Sequence, residues 1–270
     1  MSRGKGQLSP FPQYKVTDME TKFNRTDCFV GVFDILGFSN LVRTSKLEEV
    51  ANLYFEVKKY FEDMLRDVNS LCHRDIVKFY NFSDTFLIHT QNKDDIDFQA
   101  LLVACDALFL GVNEVAQNNN VAIRGAIHSG EIISAEGVLI GRPIIEAFEK
   151  EKQQEWIGCW VGVDCLNEDQ FKEYICDKSI VEYSIPLKCG KVKNCYAFNW
   201  VKSIAHKYKV ENKNFNFGSK EIMEEINFLK CEPEKWDVKK KYNNTVTFVK
   251  RVTTGEFLKE YRARKYESRR

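Results

Sequence analysis

Two aspartates stand at the borders of apolar segments that otherwise suit buried strands. Asp34 ends the run FVGVF and is followed by Ile35 and Leu36 before the chain reaches Gly37, and Asp84 directly precedes the run TFLIH. A buried carboxylate is costly unless a partner neutralises it, and carboxylate oxygens are the ligands that Mg²⁺ and Mn²⁺ prefer. Two such ions about 3.5–4 Å apart would hold the attacking and leaving oxygens of a phosphoryl transfer. The competing interpretation is that both aspartates are ordinary turn and cap residues.

The segment that follows Asp34 is suited to contact a phosphate. Leu36-Gly37-Phe38-Ser39 has the composition of a tight turn, and a long helix follows it. Backbone N–H groups at such a turn can bind phosphate oxygens. Beside two carboxylates, this turn indicates metal-assisted chemistry on a phosphorylated substrate.

Hydrophobic periodicity predicts alternating strands and helices. The first elements are strands at 28–36, 76–82, 85–89, 121–128 and 131–139 and helices at 46–71 and 96–117. The order βαββαβ predicts an α+β, ferredoxin-like fold in which the helices pack on one face of an antiparallel sheet. Further on, the pattern predicts a helix to 154, a strand at 157–163, a helix at 167–176 and strands at 179–187 and 194–200. The remainder is predicted to be mostly helical, with a possible strand at 245–249.

The predicted strand order leaves a difficulty for the two aspartates. If the first strand lies beside the second strand of the chain, the hairpin tip that carries Asp84 lies at the far end from Asp34. A shifted strand would then be needed to bring the two carboxylates together. The pattern of elements alone therefore does not predict a shared site.

Composition limits the class of protein. The chain has 270 residues, 44% of them hydrophobic, and a formal net charge of +1, which gives no reason to expect nucleic acid as a partner. None of the nine cysteines has Cys-x-x-Cys spacing, so the cysteines predict a reduced, cytoplasmic protein and no zinc site. The longest apolar run, at 100–112, is too short for membrane insertion. We expect a mobile arm at 1–26, one catalytic domain at 27–200 and a basic, mostly helical extension at 201–270.

Three segments resemble, in the same order, motifs of the class III nucleotidyl cyclases. VFDILGFSNLV resembles their Phe-x-Asp-Ile-x-Gly-Phe-[Ser/Thr] motif, and FYNFSDTFLI resembles their second metal-aspartate segment, although Ser83-Asp84 stands where Gly-Asp is more usual. IRGAIHSGEI resembles their Arg-x-Gly-Ile-His-x-Gly strand. The resemblance covers residues 28–165 and implies the class III cyclase fold, with both aspartates at two metal ions.

The resemblance also implies roles for individual residues. Two Mn²⁺ or Mg²⁺ ions would be bound by Asp34, Asp84 and the carbonyl of Ile35. A nucleoside triphosphate would be contacted by Phe33, by Gly37, Phe38 and Ser39 at the phosphates, by Tyr80 at the base and by Arg124. The family implies a homodimer whose active sites lie at the subunit interface.

Departures from the family pattern point to the substrate. Purine cyclases carry Lys or Glu four residues before the second aspartate, where this chain has Tyr80, and a bulky aromatic residue there suits a smaller pyrimidine base. Ile145 and Glu149 replace the transition-state Asn and Arg of the family. This combination looks like the pyrimidine cyclases of the bacterial Pycsar anti-phage system, which implies synthesis of cyclic UMP from UTP, or cyclic CMP from CTP, for a separately encoded effector. A cyclase-like module that binds nucleotide without turnover is the alternative, and Tyr80 argues against an adenylate or guanylate cyclase.

Four more residues allow two interpretations each. Arg124 could contact substrate or form a structural ion pair. His128 is better explained as a sheet histidine than as a general base, and Trp156 as a packing residue than as a base-stacking one. Arg142 could replace the missing arginine, but its place beside a proline at a helix start is weak support for that role.

Overall fold

A computed structural model describes residues 23–117, 121–135, 137–211, 219–230 and 236–254. Most of the predicted N-terminal arm and the end of the predicted extension lie outside these residues. In the described part of the chain, none of the helices combines the length and the apolar character needed to cross a bilayer.

Eight strands and eight α-helices make up the described chain. The strands are β1 (Asn24–Leu36), β2 (Val77–Phe82), β3 (Thr85–Thr90), β4 (Ala122–Ala135), β5 (Val138–Gly141), β6 (Cys159–Val161), β7 (Ile180–Leu187) and β8 (Gly190–Phe198). The helices are α1 (Phe38–Thr44), α2 (Leu47–Leu71), α3 (Asp95–Val115), α4 (Arg142–Gln153), α5 (Glu168–Cys176), α6 (Trp200–Glu211), α7 (Ser219–Glu225) and α8 (Trp236–Thr253), with a 3₁₀ turn at Asn227–Leu229. The predicted α+β class is confirmed.

The strands form one sheet in the order β2-β3-β1-β4-β6-β8-β7, with β5 paired to β4. Only the β4–β6 pair is parallel. The expectation that β1 lies beside β2 is wrong, because β1 pairs with β3 on one side and β4 on the other. Since β3 runs antiparallel to β1, its first residues lie beside the last residues of β1, and the hairpin tip comes with them.

The two faces of the sheet are covered differently. Phe33 and Ile35 of β1 belong to the main core together with apolar residues of α2 and α3, such as Phe61 and Phe109. On the opposite face a smaller cluster joins Val30 of β1 and other strand residues to α4. The prediction that the helices pack on one face is therefore corrected. The main core contacts β1 through side chains that alternate with those facing α4.

Three predicted boundaries also differ from the structure. The strand predicted at 121–128 and the first part of the one predicted at 131–139 form one long strand, β4, because its pairing with β1 continues through Ser129 and Gly130. Residues 138–139 belong to β5. The possible strand at 245–249 lies inside α8, where Phe248 and Val249 are buried at helical spacing. Residues 24–26, assigned to the arm, begin β1.

The C-terminal helices pack into the same core as the sheet. Ile204 of α6, Ile222 of α7 and Phe248 of α8 are fully or almost fully buried in it. Trp156 lies there too, with its ring 4.8 Å from that of Phe248, which agrees with its interpretation as a packing residue. The described part of the predicted basic extension therefore contributes apolar residues to the main core.

The β2–β3 hairpin has an unusual turn residue. Only Ser83 and Asp84 separate the two strands, and Ser83 has a φ of 55°. A side chain in this left-handed region costs about 1–2 kcal/mol relative to glycine. The position therefore favours the glycine that the resembling family usually carries there.

We expect Ser83→Gly to raise the free energy of unfolding by about 1 kcal/mol, because glycine adopts the positive φ without steric strain. The thermal midpoint should rise by about 3 °C, measured by circular dichroism. Ser45→Gly is the matched control, since Ser45 has a φ of −115° and gains nothing from glycine. An equal or lower midpoint for Ser83→Gly would contradict the strain.

Candidate active site

Asp34 and Asp84 lie together at one end of the sheet. Asp34 is the cross-strand partner of Thr85, the residue after Asp84. The N–H of Ile35 donates a 3.0 Å hydrogen bond to the carbonyl of Asp84, which holds the hairpin tip against the end of β1. The pairing of β1 with β3 thus removes the topological difficulty without any strand shift.

The environment of Asp34 disfavours its negative charge. Burial, followed by the charges of Glu151 and Asp84, raises the pKa of Asp34 from 3.8 to about 6, although Arg124 and Lys152 act in the opposite direction. Among the described residues, no group donates a hydrogen bond to the Asp34 or Asp84 carboxylate, and neither carboxylate has an ion-pair partner. Arg124 and Lys152 therefore compensate the charge of Asp34 only in part.

These carboxylates fit a divalent cation. Two carboxylates and nearby backbone carbonyls form an all-oxygen donor set of the kind that Mg²⁺ and Mn²⁺ bind. A bound cation would reverse the repulsion that Asp84 and Glu151 exert on Asp34. The residues that would hold the ions are Asp34, Asp84 and the Ile35 carbonyl.

The turn predicted to bind phosphate starts helix α1. Gly37 has a φ of 88° and accepts the hydrogen bonds of Asn40 and Leu41, at 3.1 and 3.0 Å. No side chain caps this helix. The N–H groups of Phe38 and Ser39, in its first turn, have no acceptor within the helix itself.

Tyr80 lies on the same face of the sheet as Asp34. It is the cross-strand partner of Leu87, which in turn faces Val32, two residues before Asp34. Tyr80 is 42% exposed, and its ring stacks on that of His89 at 5.9 Å. Two strand spacings separate it from β1, about 10 Å, a distance that a nucleotide can span.

Phe33 does not face this site. Its side chain is fully buried on the opposite face, where its ring lies over Gly125 so closely that a Cβ at that glycine would collide with it. The predicted substrate contact of Phe33 is therefore limited to its backbone.

Arg124 is held in a buried ion pair. It is the cross-strand partner of Asp34, but its guanidinium binds Glu151 of α4, with Nε donating at 2.7 Å and Nη2 2.5 Å from the same oxygen. Nη1 donates to the carbonyl of Gln154 at 2.8 Å. Of the two interpretations of Arg124, the structure favours the structural ion pair beside the site.

Helix α4 exposes to solvent the two residues that stand where the resembling family has its Asn and Arg. Ile145 is 59% exposed, and Glu149, one turn later, is exposed as well. Arg142 is also exposed and donates to Glu146, four residues on. Lys152, by contrast, is close enough to lower the pKa of Asp34.

Sequence reasoning missed Glu151, Lys152 and His89. Glu151 and Lys152 lie in the run EKEK, which is typical of a solvated helix face. The helical spacing of Ala147 and Glu151, which places both on the buried side of α4, was the available signal. His89 lies two residues after Leu87, so both side chains are on the same face of β3. Once the hairpin register was known, His89 could have been placed next to Tyr80.

Comparisons with known proteins find structural neighbours only. No protein-family model and no curated protein matches the chain. The adenylyl cyclase CyaB from P. aeruginosa is 16% identical, with 66% of this chain and 95% of that chain covered and a TM-score of 0.44. The guanylyl cyclase domain of the RhoGC fusion protein from the fungus Blastocladiella emersonii is 13% identical, with 66% of this chain and 97% of that chain covered and a TM-score of 0.45. A class III adenylyl cyclase-like ATP-binding protein from Pseudomonas aeruginosa is 16% identical, with 53% of this chain and 34% of that chain covered and a TM-score of 0.41. Likeness at this level carries no argument about function.

We expect Asp34→Asn to stabilise the metal-free protein above pH 6 by about 1–2 kcal/mol. The raised pKa means that the folded chain binds more protons than the unfolded chain between pH 3.8 and about 6, so stability falls as the pH rises through this window. Asparagine removes that penalty, and the advantage should disappear below pH 4. Urea unfolding at several pH values with chelator measures it.

The same variant tests the cation site. Mn²⁺ should stabilise the unsubstituted chain at pH 7.5 more than it stabilises Asp34→Asn. Asp27→Asn is the control, because Asp27 is exposed on the same strand. If Asp34→Asn and the unsubstituted chain were equally stable at pH 8 without metal, the raised pKa of Asp34 would be contradicted.

Proposed function

We propose that this protein is a pyrimidine nucleotide cyclase that converts UTP to 3′,5′-cyclic UMP and pyrophosphate. The observation that carries the proposal is the meeting of Asp34 and Asp84 beside the Gly37 turn, both partly buried and neither in an ion pair with a described residue. In the reaction the ribose 3′-hydroxyl loses its proton and forms a bond to the α-phosphorus. The bond from that phosphorus to the bridging oxygen breaks, and pyrophosphate leaves.

Asp34 and Asp84 have the role of metal ligands, with the Ile35 carbonyl as the third donor. Two Mn²⁺ or Mg²⁺ ions supply, when bound, a lower pKa for the 3′-hydroxyl and neutralisation of the triphosphate charge. The Ile35–Asp84 hydrogen bond keeps the two carboxylate-bearing segments in register, so that both can bind the same ions.

The Gly37 turn has the role of a phosphate site. The free N–H groups of Phe38 and Ser39 can donate to the β- and γ-phosphates without moving a side chain. Because Gly37 is in the left-handed region, a residue with a Cβ would strain the turn that presents these N–H groups.

Tyr80 has the role of a base contact. A bulky ring at this position suits a smaller, pyrimidine base, and its hydroxyl can both donate and accept, so it suits O4 of uracil or N4 of cytosine. His89 positions the ring by stacking on it. UTP is our preferred substrate, and cytidylate cyclase activity is the closest alternative. The product would be a second messenger of anti-phage defence that activates a separately encoded effector.

We propose that the active form is a homodimer. Tyr80 and Phe82 are 42% and 86% exposed on the sheet face that carries Asp34, and Ile145 is 59% exposed on α4. Exposed apolar side chains around a site favour a protein–protein contact there. A second copy would cover them and exclude water from the substrate.

A nucleotide-binding module without turnover is the second candidate. It is favoured by one observation, namely that Ile145 and Glu149 offer no donor of the kind the family uses at these positions. Retention of both aspartates favours the cyclase.

We expect purified protein with Mn²⁺ to yield one cyclic pyrimidine monophosphate when incubated separately with ATP, GTP, CTP and UTP. Asp34→Ala and Asp84→Ala should each reduce turnover below detection, because each removes a metal ligand, while circular dichroism stays unchanged. Asp27→Ala is the matched control and should keep full activity. Mass spectrometry identifies the products.

Three outcomes would contradict parts of this proposal. Cyclic AMP or cyclic GMP would contradict the role of Tyr80. Full activity of either aspartate variant would contradict the metal assignment. Binding of a nucleotide without product by a folded dimer, with and without phage lysate, would favour the binding module.

We expect Tyr80→Phe to lower kcat/KM for the pyrimidine substrate about three- to tenfold, the effect of one lost hydrogen bond of about 0.5–1.5 kcal/mol. Stacking on His89 is retained, so the fold should be unaffected. Tyr196→Phe, which also removes one tyrosine hydroxyl but lies on β8 away from the aspartates, is the control. An unchanged kcat/KM for Tyr80→Phe would remove its hydroxyl from base recognition.

A further inference from the structure

A second group of metal-binding side chains lies apart from Asp34 and Asp84. His128 of β4, Glu146 of α4 and Asp164, just after β6, converge on one point. The Nδ1 atom of His128 lies 3.1 Å from Oδ1 of Asp164 and 3.7 Å from Oε2 of Glu146, and the three ligand atoms are all within 4.8 Å of one another. Three elements that are separate in sequence therefore offer one nitrogen and two oxygens.

His128 is buried, and the nearest polar neighbours of its imidazole are carboxylates. Its side chain is 10% exposed, and Nδ1 lies within ion-pair distance of Asp164 but without the geometry of a hydrogen bond, while Nε2 has no partner among the described groups. A buried polar atom without a partner is unfavourable. An ion between Nδ1 and the two carboxylates would satisfy it.

Each carboxylate is already oriented. Oδ2 of Asp164 accepts a 2.8 Å hydrogen bond from the N–H of Ser129, and the Ser129 hydroxyl donates to the Asp164 carbonyl at 2.6 Å. Oε1 of Glu146 accepts from Nε of Arg142 at 2.7 Å. In both carboxylates a donor fixes one oxygen, and the other oxygen faces His128. Outer hydrogen bonds of this kind orient the ligands of metal centres.

Gly162 allows the two side chains to approach the backbone closely at this point. A Cβ on Gly162 would collide with Oδ1 of Asp164 and lie 2.9 Å from Nδ1 of His128. At metal–ligand bonds of about 2.1 Å, adjacent ligand atoms lie about 3.0–3.4 Å apart. The 3.1 and 3.7 Å separations are close to those values.

We propose that His128, Glu146 and Asp164 bind one Zn²⁺ ion, with water in the fourth position. One imidazole and two carboxylates suit a divalent ion of intermediate softness, and no cysteine is required. The ion would cross-link α4, β4 and the segment after β6 through these three ligands. Because α4 also carries Glu151, the ion would fix the helix that holds Arg124 beside Asp34.

Zinc binding to the full chain tests this site. The background carries Asp34→Asn and Asp84→Asn, to remove the other metal site, and Cys189→Ser, to remove an exposed thiol. After treatment with chelator, we expect one Zn²⁺ per chain by elemental analysis and calorimetry. The thermal midpoint should rise by about 5 °C at a hundredfold excess of zinc over Kd.

Variants assign the ligands. His128→Asn and Asp164→Asn should each lose the bound zinc, and Arg142→Gln should weaken binding about tenfold by releasing Glu146. His89→Asn, at the other buried histidine of this face, is the matched control and should keep it. If His128→Asn does not fold, zinc binding by Asp164→Asn and Arg142→Gln tests the site. Both of these side chains are at least partly exposed, so their replacement should not prevent folding. No binding by the background chain, or unchanged affinity in these variants, would overturn the proposal.

Discussion

The excess of negative charge at the end of β1 is the constraint on which the site depends. Asp34, Asp84 and Glu151 contribute three formal negative charges, and Arg124 and Lys152 contribute two positive charges, so the cluster carries a formal charge of −1. The fold tolerates this because β1 is held on both sides by long antiparallel pairings, to β3 and to β4. The stability of the sheet therefore maintains an arrangement of carboxylates that is unfavourable by itself, as is common at functional sites.

Helix α4 connects this charge to the rest of the sheet. Its C-terminal part carries Glu151, which binds Arg124 in a buried, hydrogen-bonded ion pair, and its N-terminal part carries Glu146, which approaches His128. Both partners lie on β4, four residues apart and on one face. Since removing one member of a buried ion pair leaves the other uncompensated, the position of α4 is strongly determined by β4. The contacts with β4 thus fix the position of α4 beside Asp34.

Local patterns in the sequence predicted the α+β class and, apart from the short helix α1, the order of the elements through β4. The meeting of the two aspartates was implied by the family resemblance and not by those patterns, because strand order depends on which long-range pairings form, and periodicity does not encode that. Phe33 was misassigned for a related reason: its neighbour Asp34 faces the site, so in a strand Phe33 must face away. Glu151 was missed because an acidic residue between two lysines has the composition of a solvated surface. Only the packing of α4 reveals its partner.

The engagement of Arg124 limits how transition-state charge can be neutralised. Its Nε and Nη2 atoms are used by Glu151 and its Nη1 atom by Gln154, so recruiting it would leave Glu151 buried without a partner. Ile145 and Glu149, at the positions where the resembling family has its amide and its cation, provide no positive charge. Under the proposed function, the charge that develops on the departing pyrophosphate would have to be balanced by metal ions, by Lys152 or by a second copy of the chain. Turnover would then depend more steeply on divalent metal than it would with an arginine in the site.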